Sequence, residues 1–313
     1  MPIVTELEPG VVQVTMPLPW ALDHVHCYAL AAADGWTLVD AGLGTRQSLA
    51  WWEDVLEALD RPTVTQLVLT HYHPDHLGAS AGLARLTGAG QVVQGRLDRA
   101  LAVAAWEEGD DADYERYLRH HGMPADLAAA STRAEIGVAV DLAAPTRLVD
   151  EGDVVHAGAC TWRVLHLPGH ADGHIALHDD EGGRLIGGDV LLDEITPNVG
   201  RWPDTAPDPL GRYLATLHRV ADLAPTTVYP GHGPVIRTAG IRPQECAAKC
   251  RTAQTPLAPE ARYAHMAQMA HGSHSPHPRR PRVGPVHLPQ SAAPPDRLSA
   301  RPGHEQPQSP LLQ

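Results

Sequence analysis

The segment Thr70-His71-Tyr72-His73-Pro74-Asp75-His76-Leu77-Gly78-Ala79 places three imidazoles and one carboxylate within six consecutive positions. It follows Gln66-Leu67-Val68-Leu69, a nearly all-apolar run of the kind expected for a strand buried on both faces. In an extended stretch His71 and His73 point the same way, because side chains repeat every two residues. Where the chain then turns into a helix, Asp75 and His76 are aimed at a different point. Imidazole and carboxylate are the ligands a hydrolytic zinc ion prefers, with one position left open for water. Two neighbouring ions, one served by each pair, fit this spacing. Surface histidines in a polar loop would not be expected so densely packed behind a buried strand.

Four groups do not complete two sites, so other segments must contribute. Three do, each at the end of a strand-like run and beside glycine. His170 closes Val164-Leu165-His166-Leu167-Pro168-Gly169-His170, Asp189 closes Leu185-Ile186-Gly187-Gly188-Asp189, and His232 closes Val228-Tyr229-Pro230-Gly231-His232-Gly233-Pro234. Ligands delivered from the ends of rigid strands, with glycine permitting close approach, make a preorganised site. Seven groups exceed what one tetrahedral ion can use. Two such ions lower the pKa of a shared water toward about 7 and polarise a carbonyl. Asp75 then serves to orient the nucleophile and carry its proton to the leaving group.

The elements that must hold these groups alternate between strand and helix. Strands are read at 11–15, 27–30, 36–40, 66–70, 162–167, 175–178, 184–188 and 226–229. Helices are read at 47–59, after Asp75 (carrying Leu77, Ala81, Leu83 and Ala84), across 97–136, and at 209–223. Interleaving of this kind indicates a layered α/β architecture.

Composition narrows the function. With 43% hydrophobic residues the 313-residue chain can build a substantial core, and no apolar run approaches the roughly 18 residues of a membrane span. A net charge of -13 argues against nucleic acid as the main partner. The start, Met1-Pro2-Ile3-Val4-Thr5-Glu6, has no basic and then apolar character, so the expected location is cytoplasmic. Four cysteines give no disulfide framework, and Cys246 and Cys250 read as reduced thiols. Phe is absent, for which there is no physical account. Residues 241–313 change character: they hold 13 of the 29 prolines and nine basic against four acidic residues, a net of +5. Such a segment cannot bury enough apolar surface to offset its ordering entropy. The organisation read from the sequence is therefore a folded, metal-binding domain over 1–255, with a last short helix around Cys246, and a Pro-rich disordered tail over 256–313.

The order His-x-His-x-Asp-His, Pro-Gly-His, Gly-Asp and Pro-Gly-His-Gly-Pro resembles the metallo-β-lactamase superfamily across about residues 10–240. The resemblance implies an αββα sandwich with the metals at one edge between its two sheets. It implies that His71, His73 and His170 hold one ion, that Asp75, His76 and His232 hold the other, and that Asp189 bridges them. It implies two Zn2+ as cofactors, with iron or manganese as alternatives. Asp40 matches an aspartate that supports the site without binding metal. His174 matches a histidine that flanks the ligands, or is an ordinary strand residue. His24, His26 and His166 are not expected to be ligands, nor are the tail residues His265, His271, His274, His277, His287 and His304.

Asp189 stands where zinc-dependent β-lactamases typically carry Cys or Ser. The pattern thereby resembles the glyoxalase II, lactonase and thioesterase branch. The implied function is a dinuclear metal-dependent hydrolase acting on a thioester, ester or lactone through a metal-bridging hydroxide. The alternatives within the superfamily are a mononuclear iron persulfide dioxygenase and a phosphodiesterase. The partner expected is a small-molecule substrate, with no nucleic acid and no membrane. Trp106, Tyr114 and Tyr117 are apolar enough to cover an acyl chain, and Arg201 and Trp202 border the cleft as substrate contacts or as plain loop.

Overall fold

The strand that leads into the His71 segment is apolar along most of its length on both faces, and this sandwiches it between two layers. In β5 (Val64–Leu69) Leu67 and Leu69 pack outward, with the helix-side residues Trp52, Val55 and Leu83, while Val68 points inward to Tyr28, Val164 and Ile186. Full burial of each is worth about 2 kcal/mol, which anchors the strand end where His71 follows.

The computed structural model describes residues 1–109, 111–136, 140–202 and 205–237. The expected helix around Cys246 and the tail over 256–313 lie outside the described residues. One sheet has seven strands in sequence order: β1 (Ile3–Glu8), β2 (Val11–Pro17), β3 (His24–Ala32), β4 (Gly35–Val39), β5, β6 (Gln91–Gly95) and β7 (Arg147–Val149). Its first four strands are antiparallel neighbours, and β4 through β7 run parallel. The other sheet has six strands in the order β13 (Ile236–Arg237), β12 (Thr227–Pro230), β11 (Arg184–Gly188), β10 (Ile175–Asp179), β9 (Cys160–His166) and β8 (Val154–Ala157). Only β11 and β12 are parallel there.

Three apolar layers result. The middle one joins the sheets through Tyr28, Val39, Val68, Val93, Val164, Leu177 and Tyr229. Outside the first sheet lie α1 (Arg46–Ala58) and α3 (Ser80–Thr87), with Trp52 fully buried. Outside the second lies α7 (Pro209–Leu223), through Tyr213, Leu217 and Val220. This is the αββα arrangement that the sequence resemblance implies.

Helix starts follow capping chemistry. Thr45 Oγ1 accepts the Ser48 N–H at 3.0 Å before α1, and Asp208 accepts from Gly211 N at 2.9 Å before α7, where Pro209 takes the first helical position. The helix expected after Asp75 is two helices. α2 (Pro74–Leu77) stops at Gly78, and α3 resumes at Ser80. A Cβ at Gly78 would lie 2.7 Å from Gly44 N, and Ala79 N–H donates to Gly42 O at 2.8 Å, so close packing on the 42–44 turn breaks the run. The helical stretch expected over 97–136 is present as α4 (Arg96–Trp106), α5 (Asp111–His120) and α6 (Ala125–Ile136). Among the described residues, no helix is long and apolar enough to cross a membrane.

Candidate metal centre

Strand ends on both sheets deliver the chemistry. His71 and His73 follow β5, His170 follows β9, Asp189 follows β11 and His232 follows β12. His73 has the extended backbone (φ -66°, ψ 146°) expected of a residue before proline, and Pro74 opens α2. That change from extended to helical chain is what separates the aim of Asp75 and His76 from that of His71 and His73.

The seven expected residues converge. Three combinations have ligand atoms close enough to hold one ion: His71, His73 and His170; Asp75, His76 and His232; and His71, His76 and Asp189. His71 Nε2 and His73 Nδ1 are 3.1 Å apart. The Asp189 carboxylate reaches both sides: its Oδ2 is 3.4 Å from His170 Nε2 and 3.2 Å from His232 Nε2, and its Oδ1 is 3.4 Å from His76 Nε2. Asp75 Oδ2 lies 3.4 Å from His232 Nε2. His24, His26 and His166 join none of these groups.

These residues fit metal ions by a direct observation. His76 Nε2, His170 Nε2 and Asp189 Oδ1 are buried and make no hydrogen bond, although buried polar atoms normally do. The Nδ1 atoms of His71, His76, His170 and His232 are each engaged. His71 Nδ1 pairs with Thr70 Oγ1 at 3.0 Å, and His76 Nδ1 donates to Asp40 Oδ2 at 2.8 Å. His170 Nδ1 donates to Asn198 O at 2.7 Å, and His232 Nδ1 donates to His24 O at 2.7 Å. Holding the proton on Nδ1 leaves Nε2 as a lone pair aimed at the centre. Glycine supplies the space: a Cβ on Gly231 would sit 2.7 Å from His76 Cε1 and inside contact of Asp189 Oδ1.

The electrostatics divide the centre. Burial, aided by neighbouring imidazoles, pushes His73 down to about 3 and His71 well below its ordinary range, so both are neutral lone-pair donors. His232 and His76 are opposed by burial but overruled by the carboxylates beside them, chiefly Asp189. His232 rises to about 10 and His76 also rises. Burial likewise works against the Asp189 charge, and His232 and His76 outweigh it. The carboxylates of Asp75 and Asp189 thus draw positive charge onto His76 and His232, and a divalent cation would satisfy the same carboxylates with both rings neutral.

Asp40, expected as a supporting residue, sits at φ +62° and accepts three hydrogen bonds: from His76 Nδ1, from Thr70 N and from Thr70 Oγ1, each at 2.8 Å. Asp and Asn tolerate that left-handed backbone better than most residues. His174 is fully buried, accepts the Asp189 N–H at 3.1 Å and stacks on His71 with ring centroids 4.6 Å apart. Thr70 and the Asn198 carbonyl carry no expectation from the sequence. Tyr117 OH donates to Arg201 O at 2.5 Å, Tyr114 stacks on Trp202 at 6.4 Å, and Trp106 Nε1 donates to Tyr72 O at 2.8 Å. The helical segment is thus tied to the 71–73 loop on one side and to the 198–202 loop on the other.

The metallo-beta-lactamase superfamily model matches residues 20–232, which spans every group named above. The chain belongs to that superfamily. It is 31% identical over 236 residues to the probable metallo-hydrolase YqjP of Bacillus subtilis, covering 71% of each chain. It is 37% identical over 93 residues to the acyl-coenzyme A thioesterase MBLAC2 of Gallus gallus, 28% of this chain and 31% of the relative. Among solved structures, it resembles a metallo-beta-lactamase family protein from Thermus thermophilus. That likeness has a TM-score of 0.71 at 33% identity, over 79% of this chain and 81% of the other.

Proposed function

We propose that this chain hydrolyses a small acyl thioester, or a related ester or lactone, with two metal ions, zinc by preference. His71, His73 and His170 would hold one, Asp75, His76 and His232 the other, and Asp189 would touch both. The observation that carries this reading is the single Asp189 carboxylate placed 3.2–3.4 Å from His170, His76 and His232. When bound, such ions supply an activated water at neutral pH and polarise a carbonyl.

The chain's own residues do the rest. Asp75 is kept ionised by His76 and His232 against the effect of its burial, so it is available to take a proton from the attacking water and pass it to the leaving group. Asp40, Thr70 and the Asn198 and His24 carbonyls fix the rings. Trp106, Tyr114, Tyr117 and Trp202 would form the wall against which an acyl chain lies. The likeness to the acyl-coenzyme A thioesterase MBLAC2 supports the thioester over the other substrate classes.

Assay against acyl thioesters, lactones, phosphodiesters and a chromogenic cephalosporin tests the reading. A thioester or lactone should turn over fastest; a cephalosporin faster than all of these would refute it. Every group assigned here lies at or before His232. Deletion of residues 256–313 is therefore expected to leave kcat/KM within about twofold and the thermal midpoint within the roughly 2–4 °C that 1 kcal/mol represents. Parallel calorimetry and kinetics of the truncated and full chains decide it.

A further inference from the structure

His24 and His26 lie at the rim of the centre, outside every ligand group, yet four hydrogen bonds join them to the 231–233 turn that carries His232. The His26 backbone N–H donates to Gly231 O at 2.7 Å, and His232 Nδ1 donates to His24 O at 2.7 Å. The two side chains then divide Gly233 between them. Its N–H donates to His24 Nε2 at 3.1 Å, and its carbonyl accepts from His26 Nε2 at 2.9 Å.

These contacts dictate the tautomers. His24 accepts at Nε2, so its proton sits on Nδ1, which faces Asp23 Oδ1 at 2.6 Å. His26 donates at Nε2, so its Nδ1 accepts from Thr15 Oγ1 at 3.0 Å. One ring offers a lone pair and the other a proton, which is what the two halves of one residue's backbone require. Spacing i, i+2 on β3 puts both rings on the same face, and their centroids are 4.7 Å apart. Gly233 has φ +76°, a backbone state without side-chain anchoring of its own, so these rings are what hold it.

We propose that His24 and His26 are positioning residues, a two-ring clamp on Gly233 that fixes His232 and thereby sets the metal affinity of the Asp75, His76 and His232 group. The clamp rests on the two-ion reading above. It predicts an asymmetric loss: the ion on the His232 side loosens, and the ion held by His71, His73 and His170 does not. The scale for partners that orient a ligand is about 10–100-fold in affinity.

The test uses the full chain as wild type, H24A, H24A/H26A and H24Q/H26Q. Glutamine returns an oxygen acceptor in place of His24 Nε2 and an N–H donor in place of His26 Nε2. Circular dichroism checks folding. Zinc stoichiometry, the two rates of zinc release to a chelator, and the visible spectrum of the cobalt-substituted protein are read. In wild type two ions should be present. In the alanine variants one ion should leave about 10–100-fold faster with the other unchanged, and glutamine should restore release to within about threefold. H24A, whose side chain is partly exposed, keeps the test available if the double variant does not fold. Two wild-type ions with no change in the alanine variants, with both ions loosened equally, or with no rescue by glutamine overturn the clamp. A wild type that takes up a single ion overturns the two-ion reading and the clamp with it.

Discussion

Asp189→Ala is expected to lower kcat/KM by about a thousandfold or more, some 4 kcal/mol of transition-state stabilisation, and to cut bound metal from two ions toward one. The reason is position. The carboxylate stands between His170 on one side and His76 and His232 on the other, so its removal would take a ligand from both proposed groups. It also leaves His76 and His232 facing one another with only Asp75 and Asp40 to offset charge, which disfavours closing the centre. The backbone should survive, because the Asp189 N–H still has His174 Nε2 as its acceptor. Elemental analysis and steady-state kinetics on the best thioester substrate measure both effects. Wild-type metal content and rate in the variant would show that Asp189 does not bridge.

Asp40→Ala should be the most destabilising single change near the centre, at about 3–5 kcal/mol. It strands three buried donors, the Thr70 N–H, the Thr70 hydroxyl and His76 Nδ1–H, each worth roughly 1–3 kcal/mol when unsatisfied. It also leaves alanine at φ +62°, where aspartate is better tolerated. A drop in the thermal midpoint on the order of 10 °C follows for a domain of this size. Asp40→Asn separates support of the fold from support of the metal. Its shape and backbone preference are kept, but an amide N–H facing His76 moves the ring proton from Nδ1 to Nε2 and removes the lone pair. Metal affinity should then fall about 10–100-fold with a far smaller loss of stability. Equal behaviour of the Ala and Asn variants in calorimetry and in metal titration would argue against this role.

The residues that converge on the centre were legible because each ends an apolar strand run or begins the helix after it, next to glycine or proline, where local sequence reports position. The layered α/β order was legible for the same reason: strands such as 66–69 and 184–188 are nearly all apolar beyond their first residue. What orients the rings was not. The acceptors for His170 and His232 are the backbone carbonyls of Asn198 and His24, 28 and 208 residues away, and a carbonyl has no side-chain signature. His24 and His26 were visible as histidines, but only the fold shows that they grip Gly233. Strand β1 escaped notice because Ile3–Glu8 pairs only at the sheet edge and leaves much of its surface exposed, so no clean alternation marks it. The break at Gly78 depends on the distant 42–44 turn, which helical periodicity cannot report.

Elemental analysis of the purified chain is the most direct test of the central claim. About two zinc-like ions per chain are expected, with both lost on chelation and activity restored when they are returned. One tightly bound iron, accompanied by colour and oxygen consumption, would contradict the two-ion hydrolase and favour an iron-dependent dioxygenase of the same fold.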